Sequence, residues 1–175
     1  MRIQHVLILL LAPLAMSFVS QKALSKKLDK QIKETYNVEK YSYSFTAIPK
    51  DVITELHVNF SDNNLLSIKA NDTLKGYAYL GKAPSKTAEF DYLVLLDTDL
   101  VILKSKVLVY REEYGGEIGS KRWLKQFIGK TQNDDLKYGD DIMAISGATI
   151  SVRSMTNAVN NLLKSLKTLH SKNIL

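Results

Sequence analysis

The chain has 175 residues, 45% hydrophobic and 24% charged, the composition of one globular domain with enough apolar side chain for a core. It contains no cysteine, which excludes disulfides, thiolate catalysis and cysteine metal sites. The net charge is +6, but the lysines are scattered and form no dense basic stripe of the kind nucleic-acid binding requires, so no nucleic-acid partner is expected.

Residues 1–20 read as a targeting segment. Arg2 is followed by an apolar run over 6–19 that carries no charge and is broken only by Pro13 and Ser17. The run is short for a bilayer span, which needs roughly 20 residues, and it fits the apolar core of a secretory signal. Ala15 and Ser17 offer small residues for cleavage after Ser17, with Ser20 as an alternative; an uncleaved N-terminal anchor is the second reading. Either one places the working domain outside the cytoplasm, in the periplasm or on the outer face of the cytoplasmic membrane.

Residues 21–48 read as an N-terminal helix and linker. Leu24, Leu28, Ile32 and Tyr36 recur every four residues among lysines, which predicts a helix over 21–36 with a narrow apolar stripe. Such a helix either lies on a membrane surface or packs on the domain.

The domain proper is expected over 49–175. After Pro49 the pattern predicts strands at 52–60, 65–70, 74–80, 92–96 and 101–110, with polar turns such as Ser61-Asp62-Asn63-Asn64 and Asp97-Thr98-Asp99 between them. No helix intervenes, so the sheet is expected to be mainly antiparallel. Three glycines then fall within residues 115–119, in the loop Tyr114-Gly115-Gly116-Glu117-Ile118-Gly119, and let the backbone pass close to a flat ligand. Ser120 is placed to cap a short helix over 121–128 with Trp123, Leu124, Phe127 and Ile128 on its apolar side, and Gly129 to end it. A short apolar segment at 142–145 enters Ser146-Gly147-Ala148-Thr149. The last helix follows, with Met155, Val159, Leu162, Leu163, Leu166 and Leu169 on one face. The fold class is α+β, a mainly antiparallel sheet flanked by helices.

Most catalytic chemistries find no support in the chain. The histidines (His5, His57, His170) are far apart, with no metal-ligand spacing, and a Ser or Thr nucleophile needs a base within reach. The carboxylate pairs Glu112-Glu113, Asp134-Asp135 and Asp140-Asp141 read as solvated loop rims. Ser146-Gly147-Ala148-Thr149 differs from these, because N–H groups and the helix dipole at a helix entrance favour an anion. Its hydroxyls can hold a phosphate, or carry one as an ester; the competing reading is plain helix capping by Ser or Thr.

The motif resembles the flavinylation site of the FMN-binding domain family, which includes exported subunits of sodium-pumping NADH:quinone reductase and of Rnf-type ferredoxin oxidoreductases. The resemblance implies FMN attached by a phosphoester to Thr149, with Ser146, Gly147 and Ala148 forming the surrounding turn and Ser151 matching a usual Ser or Thr. It implies that a flavin transferase installs the group from FAD with Mg²⁺. The glycine loop and the helix after it resemble the element that lies beside the flavin, so Gly116, Glu117 and Gly119 are expected to line the ring or ribityl chain, with Trp123 a further candidate. Two departures stand out: Met143 where an acidic residue is usual, and Tyr-Gly-Gly-Glu where Glu-Thr-Pro-Gly is common. The implied function is an electron carrier or redox subunit with a membrane or periplasmic electron-transfer partner. The alternatives are a flavin-free exported module that binds another phosphorylated or anionic ligand, and a hydrolase that uses Ser146 or Thr149.

Overall fold

A computed structural model describes residues 25–60 and 63–175. The expected signal or anchor segment, and the start of the first helix with Leu24, lie outside these residues.

Five strands form one antiparallel meander in the order β1 (Ser42–Phe45), β2 (Leu65–Ala70), β3 (Thr73–Pro84), β4 (Glu89–Leu96), β5 (Ile102–Val109). From β2 to β5 each strand pairs with its neighbour in sequence because the connections are too short for a crossover, whereas β1 reaches β2 through a longer connection that contains a helical turn. Asn71 and Asp72 close the β2–β3 hairpin, both in the left-handed region at φ 50° and 58°, a conformation that asparagine and aspartate tolerate. At the β4–β5 turn the Asp97 carboxylate accepts the N–H groups of Asp99 (3.0 Å) and Val101 (2.8 Å).

The helices cover both faces of the sheet. Along β4, Tyr92, Val94 and Leu96 join one apolar cluster while Leu93 and Leu95 join the other, the period-2 consequence of burial on both sides. Helix α4 (Thr149–Ser171) covers the first face with Val152, Met155, Val159, Leu162, Leu163, Leu166 and Leu169. Helix α1 (residues 25–36) covers the second, where Leu28, Ile32 and Tyr36 pack on Leu66, Ile68, Ala78, Leu93 and Leu95. The described part of the α1 stripe is therefore spent on the domain rather than on a membrane surface. The Tyr36 hydroxyl lies 2.9 Å from the carbonyl of Tyr77 and 2.7 Å from that of Leu96, and burial pushes its pKa up. No helix among the described residues is long and apolar enough to cross a membrane.

The strand expected at 52–60 is not formed. Pro49, at φ −59°, instead precedes the short helix α2 (Lys50–Ile53), and irregular chain follows. Proline has its φ already set for a helix start, and the partial alternation that suggested a strand is two buried anchors, Val52 and Phe60. Strand β1 is an addition: its four residues are exposed, and only pairing with β2 holds them extended. The helix expected at 121–128 is shorter, α3 (Lys121–Leu124) continued by a 3₁₀ turn (Lys125–Phe127). Ser120 caps it as expected, accepting the Trp123 N–H at 3.2 Å, and Gly129 follows at φ 80°.

Candidate functional site

Thr149 is the first residue of α4 and is exposed. The N-cap position falls on buried Ala148, and no side chain caps the helix. The capping explanation for the two hydroxyls therefore does not describe this helix start. Without a side-chain cap, the N–H groups of the first turn of α4 keep their donor capacity, and the positive end of the helix dipole is open to an anion.

Three neighbours position this turn. The Trp123 indole N–H donates to the Met143 carbonyl (2.8 Å), and the Met143 N–H donates to the Gln126 side-chain oxygen (2.8 Å), so α3 and the turn after it clamp the chain entering the motif. The Tyr110 hydroxyl sits 3.0 Å from the hydroxyl of buried Ser151, tying the end of β5 to the first turn of α4. Gly115 closes against the motif from the other side. Its φ is 78°, and a Cβ placed on it would come within 2.5 Å of the Ala148 Cβ and 3.2 Å of the Tyr110 hydroxyl.

A cleft of about 670 Å³ opens beside Thr149. Its walls are the β3–β4 hairpin (Lys86, Thr87), the segment after β5 (residues 110–114) and the start of α4 (residues 147–151). Of the residues singled out from sequence, Gly147, Ala148 and Thr149 are on the wall, and Ser146 is exposed just before it. Gly116, Glu117 and Gly119 are not brought to this cleft. They form a 3₁₀ turn (Gly116–Gly119) anchored by buried Ile118, with open space where side chains on Gly116 and Gly119 would stand. The part of the loop nearest the motif is Gly115 with the residues before it. Trp123 is buried and acts through its hold on Met143.

Lys86, Thr87 and Arg111 were not singled out from the sequence, and Glu112 was named there only as half of a solvated carboxylate pair. Their only signals are a polar turn after Pro84 and a charged cluster after β5, and neither tells that the hairpin tip folds toward the last helix. Glu112 is no solvated rim residue. Its carboxylate accepts from the Ser85 hydroxyl (2.5 Å), the Thr87 N–H (2.7 Å), the Thr87 hydroxyl (2.9 Å) and the Ala88 N–H (3.2 Å). The Ser85 hydrogen bond, followed by that of the Thr87 N–H, holds its pKa down from 4.5 to about 2. Because the folded-state value is depressed, this stabilisation is fully present above pH 4.5 and is lost as the pH falls towards 2. Thermal melts across that window are expected to show a shallower acid loss for Glu112→Gln than for the wild type, from a lower starting midpoint at neutral pH. Equal slopes would contradict the assignment.

The site is not built for a Ser-His or Thr-His nucleophile. His57 lies in the irregular stretch after α2, where its N–H bonds to the Ser165 hydroxyl at 2.8 Å, and it lines a different cleft. His170 lies near the far end of α4, about 30 Å along the helix from Thr149 at 1.5 Å per residue. No metal-holding cluster of His, Cys, Asp or Glu occurs among the described residues.

Fold and site define an antiparallel α+β domain with a cleft at the uncapped start of its last helix. Residues 86–164 match the family model of the FMN-binding domain. The matched span runs from the hairpin tip at Lys86 through most of α4 and takes in every wall of the cleft. No curated protein matches the chain.

Proposed function

We propose that the protein is an exported electron-transfer flavoprotein that holds FMN through a phosphoester to Thr149. The observation that carries this reading is an exposed threonine hydroxyl at the uncapped N-terminus of α4, on the wall of a cleft within the matched FMN-binding domain. The donor set suits the group: the first turn of α4 has no side-chain cap, and Lys86 lines the same cleft. The cleft volume, about 670 Å³, suits a cofactor of this size. When bound, FMN supplies one- and two-electron transfer. The chain's own part is to tether it at Thr149 and to hold the turn in place through Ala148 packed on Gly115 and Ser151 bonded to Tyr110.

Export rests on the uncharged apolar run over residues 6–19. A tether has a physical purpose outside the cytoplasm, where a dissociated cofactor is not recovered. The reading requires a flavin transferase for maturation and a membrane or periplasmic electron-transfer partner. The intact mass of the protein, co-expressed in an exporting host with such a transferase, tests it. A gain of one FMN less one water on the peptide holding Thr149 is expected. An unmodified, colourless protein, while the same transferase loads a known substrate, would overturn the reading.

A further inference from the structure

We infer that Lys86, on the tip of the β3–β4 hairpin, is the counter-charge by which the Thr149 cleft selects a phosphorylated flavin over an unphosphorylated one; this rests on the flavin reading above. The tip is a four-residue loop between the paired residues Pro84 and Glu89, closed by the Ser85 N–H donating to the Ala88 carbonyl at 2.7 Å. A loop this exposed would ordinarily be mobile. Here it is stapled to the chain leaving β5. Glu112 takes four hydrogen bonds from Ser85, Thr87 and Ala88, and the Arg111 guanidinium donates to the Glu89 carbonyl (2.7 Å) and the Asp91 carboxylate (2.6 Å).

The staple uses every residue of the tip except Lys86. Four charged side chains line the cleft: Lys86, Arg111, Glu112 and Glu113. Arg111 is paired with Asp91, and Glu112 is saturated by the hairpin. Lys86 takes part in none of the ion pairs among the described residues. The result is an uncommitted ammonium on an anchored loop, lining the same cleft as the open N–H groups of α4. A compact point charge of this kind recognises phosphate without demanding one approach direction. Riboflavin, which lacks the phosphate, gains nothing from it.

The test titrates the unmodified full chain, made without a flavin transferase, with FMN and with riboflavin, following flavin fluorescence. Wild type is expected to prefer FMN. Lys86→Gln is expected to lose about tenfold of that preference, the scale of one charge-assisted hydrogen bond, with riboflavin affinity unchanged. Lys86→Arg and the control Lys69→Gln, an exposed position on β2, are expected to keep it. Covalent loading of wild type with FAD and transferase is measured alongside. If wild type is loaded but Lys86→Gln retains the full FMN preference, or wild type has none, the role of Lys86 is overturned and the flavin reading stands. If wild type neither binds FMN nor is loaded, the flavin reading falls and this inference with it.

Discussion

A Thr149→Ala variant is expected to fold normally and to carry no covalent flavin, taking the bound stoichiometry from near one to zero. The fold should tolerate the change because Thr149 is exposed, makes no capping bond and occupies the first helical position, where alanine has the better intrinsic propensity. A stability change within about 0.5 kcal/mol is expected for such a surface site. The chemistry should not tolerate it, because the ester needs the hydroxyl at that point. The neighbouring hydroxyls are poor substitutes. Ser151 is buried and bonded to Tyr110, and Ser146 precedes the cleft wall. Denatured protein run on a gel under ultraviolet light, together with peptide mass mapping, checks the outcome. Covalent flavin on Thr149→Ala, mapped to Ser146 or Ser151, would move the attachment point and sink the assignment.

Gly115→Ala is expected to destabilise the protein by roughly 2–4 kcal/mol, combining the cost of a left-handed backbone for a non-glycine residue with overpacking against a rigid neighbour. The neighbour cannot easily yield. The intruding Cβ would meet the Ala148 Cβ at 2.5 Å, and Ala148 is buried at the N-cap of a 23-residue helix. Any relief must displace the start of α4 and Thr149 with it, so covalent loading should fall even in the folded fraction. Gly116→Ala is the matched control. It lacks the positive φ, has open space around it, and should change stability by no more than about 0.5 kcal/mol. Urea denaturation of both variants checks the pair, and equal effects would refute the role given to Gly115. This separation of two adjacent glycines is invisible in the sequence, where both belong to one flexible run.

Much of the fold was legible because it depends on local pattern. Strand β2 follows directly from Leu65 to Ala70, and α4 follows from its spaced leucines. The antiparallel order of β2 to β5 follows from connections too short to cross over. Where the reading failed, short-range signals competed. At 52–60 the partial alternation of Ile53, Leu56, Val58 and Phe60 suggested a strand, but proline geometry and two core anchors set a helical turn and irregular chain. Residues 42–45 alternate Ser with aromatics, yet with every side chain exposed their extension depends on pairing with β2, a long-range event.

The sequence by itself determined the class of the domain and the place of the Ser-Gly-Ala-Thr run at a helix entrance, because both are written in contiguous residues: strand alternation, short turns, and the spaced leucines of the last helix. Only the tertiary structure decided what surrounds that run. It put Ala148 rather than a hydroxyl at the cap, chose Gly115 over Gly116 as the point of close approach, left Glu117 on a turn away from the cleft, and brought Lys86, Arg111 and Glu112 to the wall. The physical reason is chain distance. Lys86 and Thr149 are separated by most of the matched domain, and their meeting depends on how the β3–β4 hairpin, the end of β5 and α4 pack together. No local propensity or periodicity records that arrangement.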